Sequence, residues 1–561
     1  MPDQICQDGG GPMTGKLSDR IYDALIVGSG ASGMFAASEL TAQGLDVLML
    51  EAGPALQARD FDPALKSGAK AGLNVSARAM TMLRGQPIQS RAVFYRRWQA
   101  HFFVNDRRNP YTAPRDAPYL WIRGRQRGGR LHSFGRVLMR WSDAEFQSRT
   151  LRGFGCDWPI RYADLAPYYD EVETALEVQG NRDRVASMPD GVYARPSGLT
   201  PAEALFKARV EAARPGQRVV AWRYVAPDPE RLHRPLRNAL ATGRLTLLNG
   251  AAACKVLTDP RNGRATGVAF TEASSGIIRL ARARAVVLCA SSIESVRLLL
   301  NSRGVRHPDG IGNSHDQLGR YFQDQLPLVA QGEFPEASGS FADPLAPRDP
   351  FYDTTGGIFI PRSDGHDFAF QGLVGRAEVR ADQPARLAFF GFGEMQPDPG
   401  NRITLDPRRK DACGIPVPHI RCKMGCRDTR NLHRQCQTLQ DIVETAGGRL
   451  DFIGSPLGLR EWGRGAYCRE GRLSRFLFRQ MFCRSMIMGA AIHESGGARM
   501  GISPADSVLN PWNQCWDAPN LLVTDASAFA GGGVTGTTLT LMALTLRACR
   551  HLAAEMAAGR V

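Results

Sequence analysis

Two groups of residues have types and spacings that can do chemistry. The first is Gly28-Ser29-Gly30-Ala31-Ser32-Gly33, which follows the β-rich apolar run YDALIV at 22–27. A helical stretch, MFAASELTAQG, ends at Gly44, and the strand-like DVLMLE ends at Glu51, 21 residues after Gly30. This order of strand, glycine turn, helix, strand and acid forms a dinucleotide cradle. Gly28 permits the tight turn, Gly30 lets backbone approach a pyrophosphate, and Gly33 lets helix and strand pack closely. The helix N-terminus offers free N–H groups to phosphate, and Glu51 can accept hydrogen bonds from a ribose diol. The motif alone does not separate FAD from NAD. The second group is centred on His493, in HESGGARMG at 493–501. A lone histidine is more often a satisfied core residue. Small neighbours let this one stand close to a flat ring, and its ordinary pKa suits proton removal from an alcohol as hydride leaves.

Other elements must position these groups. NLLVTD at 520–525 reads as a buried strand ending in Asp525, followed by a small-residue loop with Gly531, Gly532 and Gly533. From Thr538 the pattern turns helical, which aims a positive helix end into the cofactor site and suits the pyrimidine edge of a flavin. Residues 241–256 read as one strand reaching the cofactor, and 261–270 as a hairpin returning from it. AVVLCASSIESVRLLLNS at 285–302 reads as strand, turn and helix. Alternating runs within 331–400, such as RLAFFGFGEM, predict antiparallel strands. Residues 425–447 predict an amphipathic helix ending at Gly447. The arginines at 460, 464, 469, 472, 475 and 479 stand among aromatics, as a plain surface or an anion-binding rim. There is no internal repeat.

Composition narrows the class. At 561 residues the chain is long enough for two domains. Hydrophobic residues at 43% and charged residues at 22% are ordinary for a globular protein and exclude disorder, collagen and coiled coil as readings of the whole. The net charge of +15 comes with only 7 lysines among 70 basic residues, so arginine dominates. No block of like charge, zinc-finger spacing or RNA-binding signature accompanies it, which argues against nucleic acid. No apolar stretch reaches the length of a transmembrane helix, so no membrane is expected. The first twenty residues lack an apolar segment and read as a flexible tail rather than a secretory signal. The 12 cysteines form no disulfide framework, and Cys413, Cys422, Cys426 and Cys436 match no zinc motif. No metal is expected, and a reducing cytoplasm is the simplest compartment.

The chain resembles the glucose–methanol–choline (GMC) oxidoreductases. The resemblance is carried by DALIVGSGASGMFAASEL…VLMLEAGP, GRQRGGRLHSFGR at 124–136, GCDWPIRYADLAPYYDEVE at 155–173, AVVLCASSIESVRLLLNS, GNRITLDPRRKDACGIP at 400–416, HESGGARMG and NLLVTDASAF. These blocks are most similar to the branch that oxidises sugars, glycosides and polyols. The resemblance implies an α/β (α+β overall) fold, with a Rossmann-like FAD-binding domain interleaved with a mixed or antiparallel-sheet substrate domain. The first takes 21–180, 241–325 and 490–561, the second 181–240 and 326–489, with 1–20 as tail. It implies hydride transfer from an alcohol carbon to flavin N5, with His493 as the base. Electrons then pass to oxygen or another acceptor. Gly28, Gly30, Ala31, Ser32, Gly33, Glu51 and Ala52 would hold the ADP part. Gly128, Gly129, His132, Ser133, Cys254, Ala290, Asp525, Ala526, Thr537 and Thr538 would complete the cofactor site.

Three departures stand against the family pattern. Relatives pair the histidine with a second His or Asn, and Gly536 occupies that place here, so Thr535, Thr537 or a water would have to supply the missing contact. The place of a flavin-bonded histidine falls on Ser133, with His132 one residue early, so non-covalent FAD is expected. Gln325 in GRYFQDQ stands where relatives often carry histidine. The leading expectation is oxidation of a sugar, glycoside, aminoglycoside or polyol hydroxyl, with natural-product tailoring as a setting that the resemblance suggests. Lyase- or decarboxylase-type flavin chemistry and a non-catalytic flavin-binding role are the alternatives.

Overall fold

The structure is a computed structural model that describes residues 20–61, 80–92, 95, 97–226, 229–340, 356–363, 365–463 and 471–561. The tail expected at 1–20 lies outside these residues except for Arg20.

The glycine cradle sits where the sequence places it. Strand β1 (Ile21–Val27) leads through the turn into helix α1 (Ala31–Ala42) and strand β2 (Val47–Glu51). The strands are parallel, with Ala24 opposite Val47 and Val27 opposite Leu50. Both are apolar and almost wholly buried, as strands covered on two faces must be. The sheet grows from distant parts of the chain. Ile278–Leu288 pairs parallel with β1, Ala518–Val523 pairs parallel with that strand, and Leu245–Asn249 pairs parallel with β2. Gln514–Cys515 and the strands Ala251–Thr258 and Ala265–Glu272 complete eight strands. The carboxyl ends of β1, Ile278–Leu288 and Ala518–Val523 therefore open on one crevice, as expected of an α/β sheet that binds a ligand.

One sequence expectation is corrected. Residues 241–256 form two strands rather than one, because Gly250 takes φ +69° and turns the chain. Leu245–Asn249 extends the parallel sheet, while Ala251–Thr258 pairs antiparallel with Ala265–Glu272.

A second sheet of seven strands is antiparallel. Its centre is Leu326–Ser338 beside Pro384–Gly393, with Phe389 opposite Ala330. Alternation along Pro384–Gly393 assigns the faces. Ala385, Leu387 and Phe389 are buried in a core cluster with residues of the helices Pro201–Ala213 and Cys426–Thr445. Arg386, Ala388, Phe390 and Phe392 line the cavity that the first sheet also lines. Among the described residues no helix is long and apolar enough to cross a membrane.

Candidate active site

The cradle is built by close backbone packing. Gly28 has φ +100°, and a Cβ there would stand 2.4 Å from the Cys289 carbonyl oxygen. A Cβ on Gly33 would stand 1.9 Å from the Gly28 carbonyl oxygen. Gly30 differs: a Cβ would meet nothing within 4 Å, because this glycine faces open cavity. Ala31 and Ser32 begin α1 beside it, and the Ser32 hydroxyl bonds to Thr524 and Thr545, both at 2.8 Å. Those bonds tie the first turn of α1 to the carboxy-terminal elements. Glu51 accepts from the Ser29 hydroxyl at 2.5 Å and the Gly53 N–H at 2.8 Å. Burial pushes its pKa up, and those hydrogen bonds oppose the shift. Opposite the turn, a Cβ on Gly129 would lie 3.7 Å from the Gly30 Cα, so two bare backbones face each other.

From Glu51 and Ala52 a cavity of about 1250 Å³ runs past Gly30, Gly129 and Ser133 to Ala290, Asp525, Ala526, Gly536, Thr537, Thr538 and His493. Asp525 uses its carboxylate within the protein, accepting from Ser295 Oγ at 2.5 Å and Ser527 Oγ at 2.6 Å. Thr538 opens the helix Thr538–Ala557, whose first turn borders the cavity. A strand end bearing an acid, a helix N-terminus, bare glycine backbone and an elongated cavity together fit a dinucleotide.

At the far end His493 is half-buried, with one ring edge on the cavity. Its ring lies 5.0 Å from that of Phe392, which walls one side. Asp324 Oδ1 accepts the His493 backbone N–H at 3.0 Å, and Gln325 Oε1 lies 2.6 Å from Nδ1. The nearest side-chain atom to a Cβ built on Gly536 is His493 Nε2, at 3.7 Å. Burial, with help from Arg130, pushes the His493 pKa down to about 4, so the ring is neutral at neutral pH. Burial and the neighbouring Glu494 push Asp324 up to about 7. Arg130 pairs with Glu494 at 2.7 Å.

Five residues expected at the site do not line this cavity. Gly33 acts through packing, as above. Gly128 is turned to the histidine pair: a Cβ there would meet His132 Nε2 at 2.5 Å and His233 Cε1 at 2.6 Å. His132 stacks on His233 at 4.7 Å, and its Nε2 lies 2.8 Å from the Arg127 carbonyl. Cys254 points back to the Ala269 carbonyl, while Ala251, Ala252 and Ala253 line the cavity. The Thr535 hydroxyl is buried without a hydrogen-bond partner among the described residues, whereas Thr537 reaches the cavity. Of the arginine-rich run, Arg464 and Arg469 lie outside the described residues. Arg479 pairs with Glu461 at 2.8 Å, and Arg460 lies over Trp462. Sequence reasoning missed Arg130, Phe392 and the role of Gln325. The only signal for the last was its departure from the family's usual residue.

Residues 230–326 and 397–545 match family models for GMC oxidoreductases, and residues 26–87 match one for an NAD(P)-binding Rossmann-like domain. The chain belongs to the GMC oxidoreductases. Its cofactor is FAD. As a GMC oxidoreductase it is similar along nearly its whole length to curated proteins. One is the 6'''-hydroxyparomomycin C oxidase of Streptomyces lividus, 26% identical over 97% of this chain and 93% of that protein. Another is the fructose dehydrogenase large subunit of Gluconobacter japonicus, 25% identical over 96% of this chain and 98% of that protein. Among solved structures, pyridoxine 4-oxidase from Mesorbium loti shares the GMC fold with a TM-score of 0.59 and 17% identity, covering 94% of this chain and 98% of that one.

Proposed function

We propose that this enzyme oxidises a hydroxyl of a sugar, glycoside, aminoglycoside or related polyol, with His493 taking the hydroxyl proton. One observation carries the reading: His493 Nε2 faces the open space at Gly536, in the same cavity as the dinucleotide cradle. When bound, FAD supplies hydride acceptance at N5. The chain's residues do the rest. Nε2 of the neutral imidazole accepts the proton of the substrate hydroxyl. Phe392 and Phe390 wall the site and exclude water, and the absent side chain at Gly536 leaves room for the carbinol substituents. Further out, Gln331 and Gln371 line the same cavity and offer amide groups to hydroxyls. The two arginines of that wall are already neutralised. Arg376 holds Glu203 at 2.6 Å, and Arg386 holds Asp451 at 2.6 Å and Glu333 at 3.2 Å. This favours a neutral polyhydroxylated substrate over an acid. The acceptor that reoxidises the flavin is oxygen or another electron acceptor.

Anaerobic addition of sugars, aminoglycosides and polyols to the FAD-loaded enzyme is expected to bleach the flavin with at least one of them. Bleaching by none, with carbon dioxide released from a carboxylic acid instead, would overturn the reading. The flavin is held non-covalently, since His132 is turned to His233 and away from the cavity, while Ser133 stands on the cavity wall. Acid precipitation should therefore leave FAD in the supernatant, and flavin retained on the pellet would refute this. Gly536→Asn should fold normally, because a Cβ there makes only ordinary contacts of 3.7–4.0 Å. We expect oxidation of small primary alcohols to persist or rise, and oxidation of bulky secondary alcohols to fall, as compared by flavin reduction rates.

A further inference from the structure

We propose that Gln325 is a positioning residue that fixes which nitrogen of His493 carries the proton. The proposal rests on His493 being the base, and it concerns an assignment that the sequence leaves open.

The argument is one of donors and acceptors. The Gln325 amide nitrogen lies 2.7 Å from the Gly533 carbonyl and 2.7 Å from the Thr535 carbonyl. Carbonyl oxygens only accept, so the atom between them must be the NH2 group, and both its hydrogens are used. A flipped amide would set its oxygen against two others. The remaining amide atom, Oε1, is therefore the one that lies 2.6 Å from His493 Nδ1. It has no hydrogen to give, so Nδ1 must be the donor. In a neutral imidazole that leaves the lone pair on Nε2, the nitrogen that faces Gly536. The opposite tautomer would oppose two lone pairs at 2.6 Å and present an N–H to the substrate hydroxyl. Such a ring cannot act as a base. Because burial keeps His493 neutral, the choice of tautomer decides whether the base exists at all near neutral pH.

The support for this contact is stiff. Gln325 is buried and immediately precedes the strand Leu326–Ser338. Asp324 Oδ1 accepts the backbone N–H of both Gln325, at 2.8 Å, and His493, at 3.0 Å. The Gly533 and Thr535 carbonyls belong to the loop that carries Gly536. One amide thus ties the base to the loop opposite it. The ionisable groups around the pair are Asp324 on the same segment, Glu494 on the histidine's own segment, and Arg130, Tyr119 and Cys422 from the elements packed behind.

The test uses the full FAD-loaded chain with nitrogen-15 histidine, His493→Ala serving to assign the signals. In the parent, His493 should show a protonated Nδ1 and an unprotonated Nε2 at neutral pH. Gln325→Leu should give a mixture of tautomers and slow anaerobic flavin reduction by between about 10- and 10²-fold, with little change in KM. Gln325→Glu sets an oxygen in place of the NH2 group against the Gly533 and Thr535 carbonyls, so its carboxyl should stay protonated, donate to one of them and still accept from Nδ1, restoring the Nδ1–H tautomer and most of the rate. A merely structural role would lower the rate without moving the tautomer. A protonated Nε2 in the parent would overturn the proposal, as would a parent-like tautomer in Gln325→Leu. If His493 were not the base, the tautomer would still read Nδ1–H while flavin reduction ignored it. That outcome overturns the functional half and identifies the failure as that of the proposed reaction.

Discussion

His493→Ala is expected to slow flavin reduction by about 10²–10⁴-fold while leaving FAD bound. The two effects separate because the ring stands at the far end of the cavity from Glu51 and Gly30, and its contacts are to Phe392, Gln325 and Asp324. None of these contacts belongs to the cradle. Substrate KM should change little, since the proton is transferred in the reaction rather than on binding. The pH dependence gives a second measurement. A histidine of ordinary pKa loses its base form as pH falls through about 6.5. This one is held near 4 by burial, so in the parent the acid limb of flavin reduction should lie near 4 and be absent from His493→Ala. The linked stability has the same direction. The unfolded chain binds the proton more readily, so the folding stability tied to His493 is complete above about 6.5 and declines as pH falls towards 4. A parent acid limb near 6.5, or unchanged flavin reduction in His493→Ala, would remove His493 from the role of base.

What could be read from sequence follows how local each feature is. The cradle from β1 to Glu51 is one continuous segment with a fixed glycine spacing, so spacing alone located it, although the Cys289 backbone that crowds Gly28 comes from far along the chain. The helix after Thr538 and the helix Cys426–Thr445 are likewise written in local periodicity. Gly250 was visible as a residue but not as a hinge, because its effect depends on β2 taking one strand and Ala265–Glu272 the next. Cys254 failed by one position, since Ala253 lines the cavity and the cysteine turns to Ala269. His132 could not be oriented by counting: its direction is set by His233, a hundred residues away in a helix of another segment. Gln325 is the extreme case. Its contacts lie at His493, Gly533 and Thr535, so nothing near it in the chain announces its partners.

The second large effect is expected at Gly33, and its contrast with Gly30 separates packing from cofactor approach. A Cβ on Gly33 would stand 1.9 Å from the Gly28 carbonyl oxygen, backbone against backbone. Gly28 cannot withdraw. Its own N–H bonds to Leu50 at 2.8 Å, and a Cβ on it would already be 2.4 Å from Cys289. Gly33→Ala must therefore lift α1 away from β1. That movement carries Ser32 off Thr524 and Thr545 and displaces the N–H groups at the start of the helix. Overpacking of this kind costs about 1–3 kcal/mol in the protein without flavin. The stabilisation that bound FAD adds by mass action is lost with it. Gly33→Ala should thus purify colourless, melt below the flavin-stripped parent, and regain neither colour nor stability on adding FAD. Gly30→Ala should behave differently, because a Cβ there meets no protein atom within 4 Å and occupies only the space facing the cavity. The flavin-stripped Gly30→Ala protein should melt with the stripped parent, yet bind FAD more weakly, because the methyl group intrudes where backbone would approach the pyrophosphate. Equal melting of the two stripped variants would mean that Gly33 acts through the cofactor rather than through the helix, and the packing account of the cradle would fail.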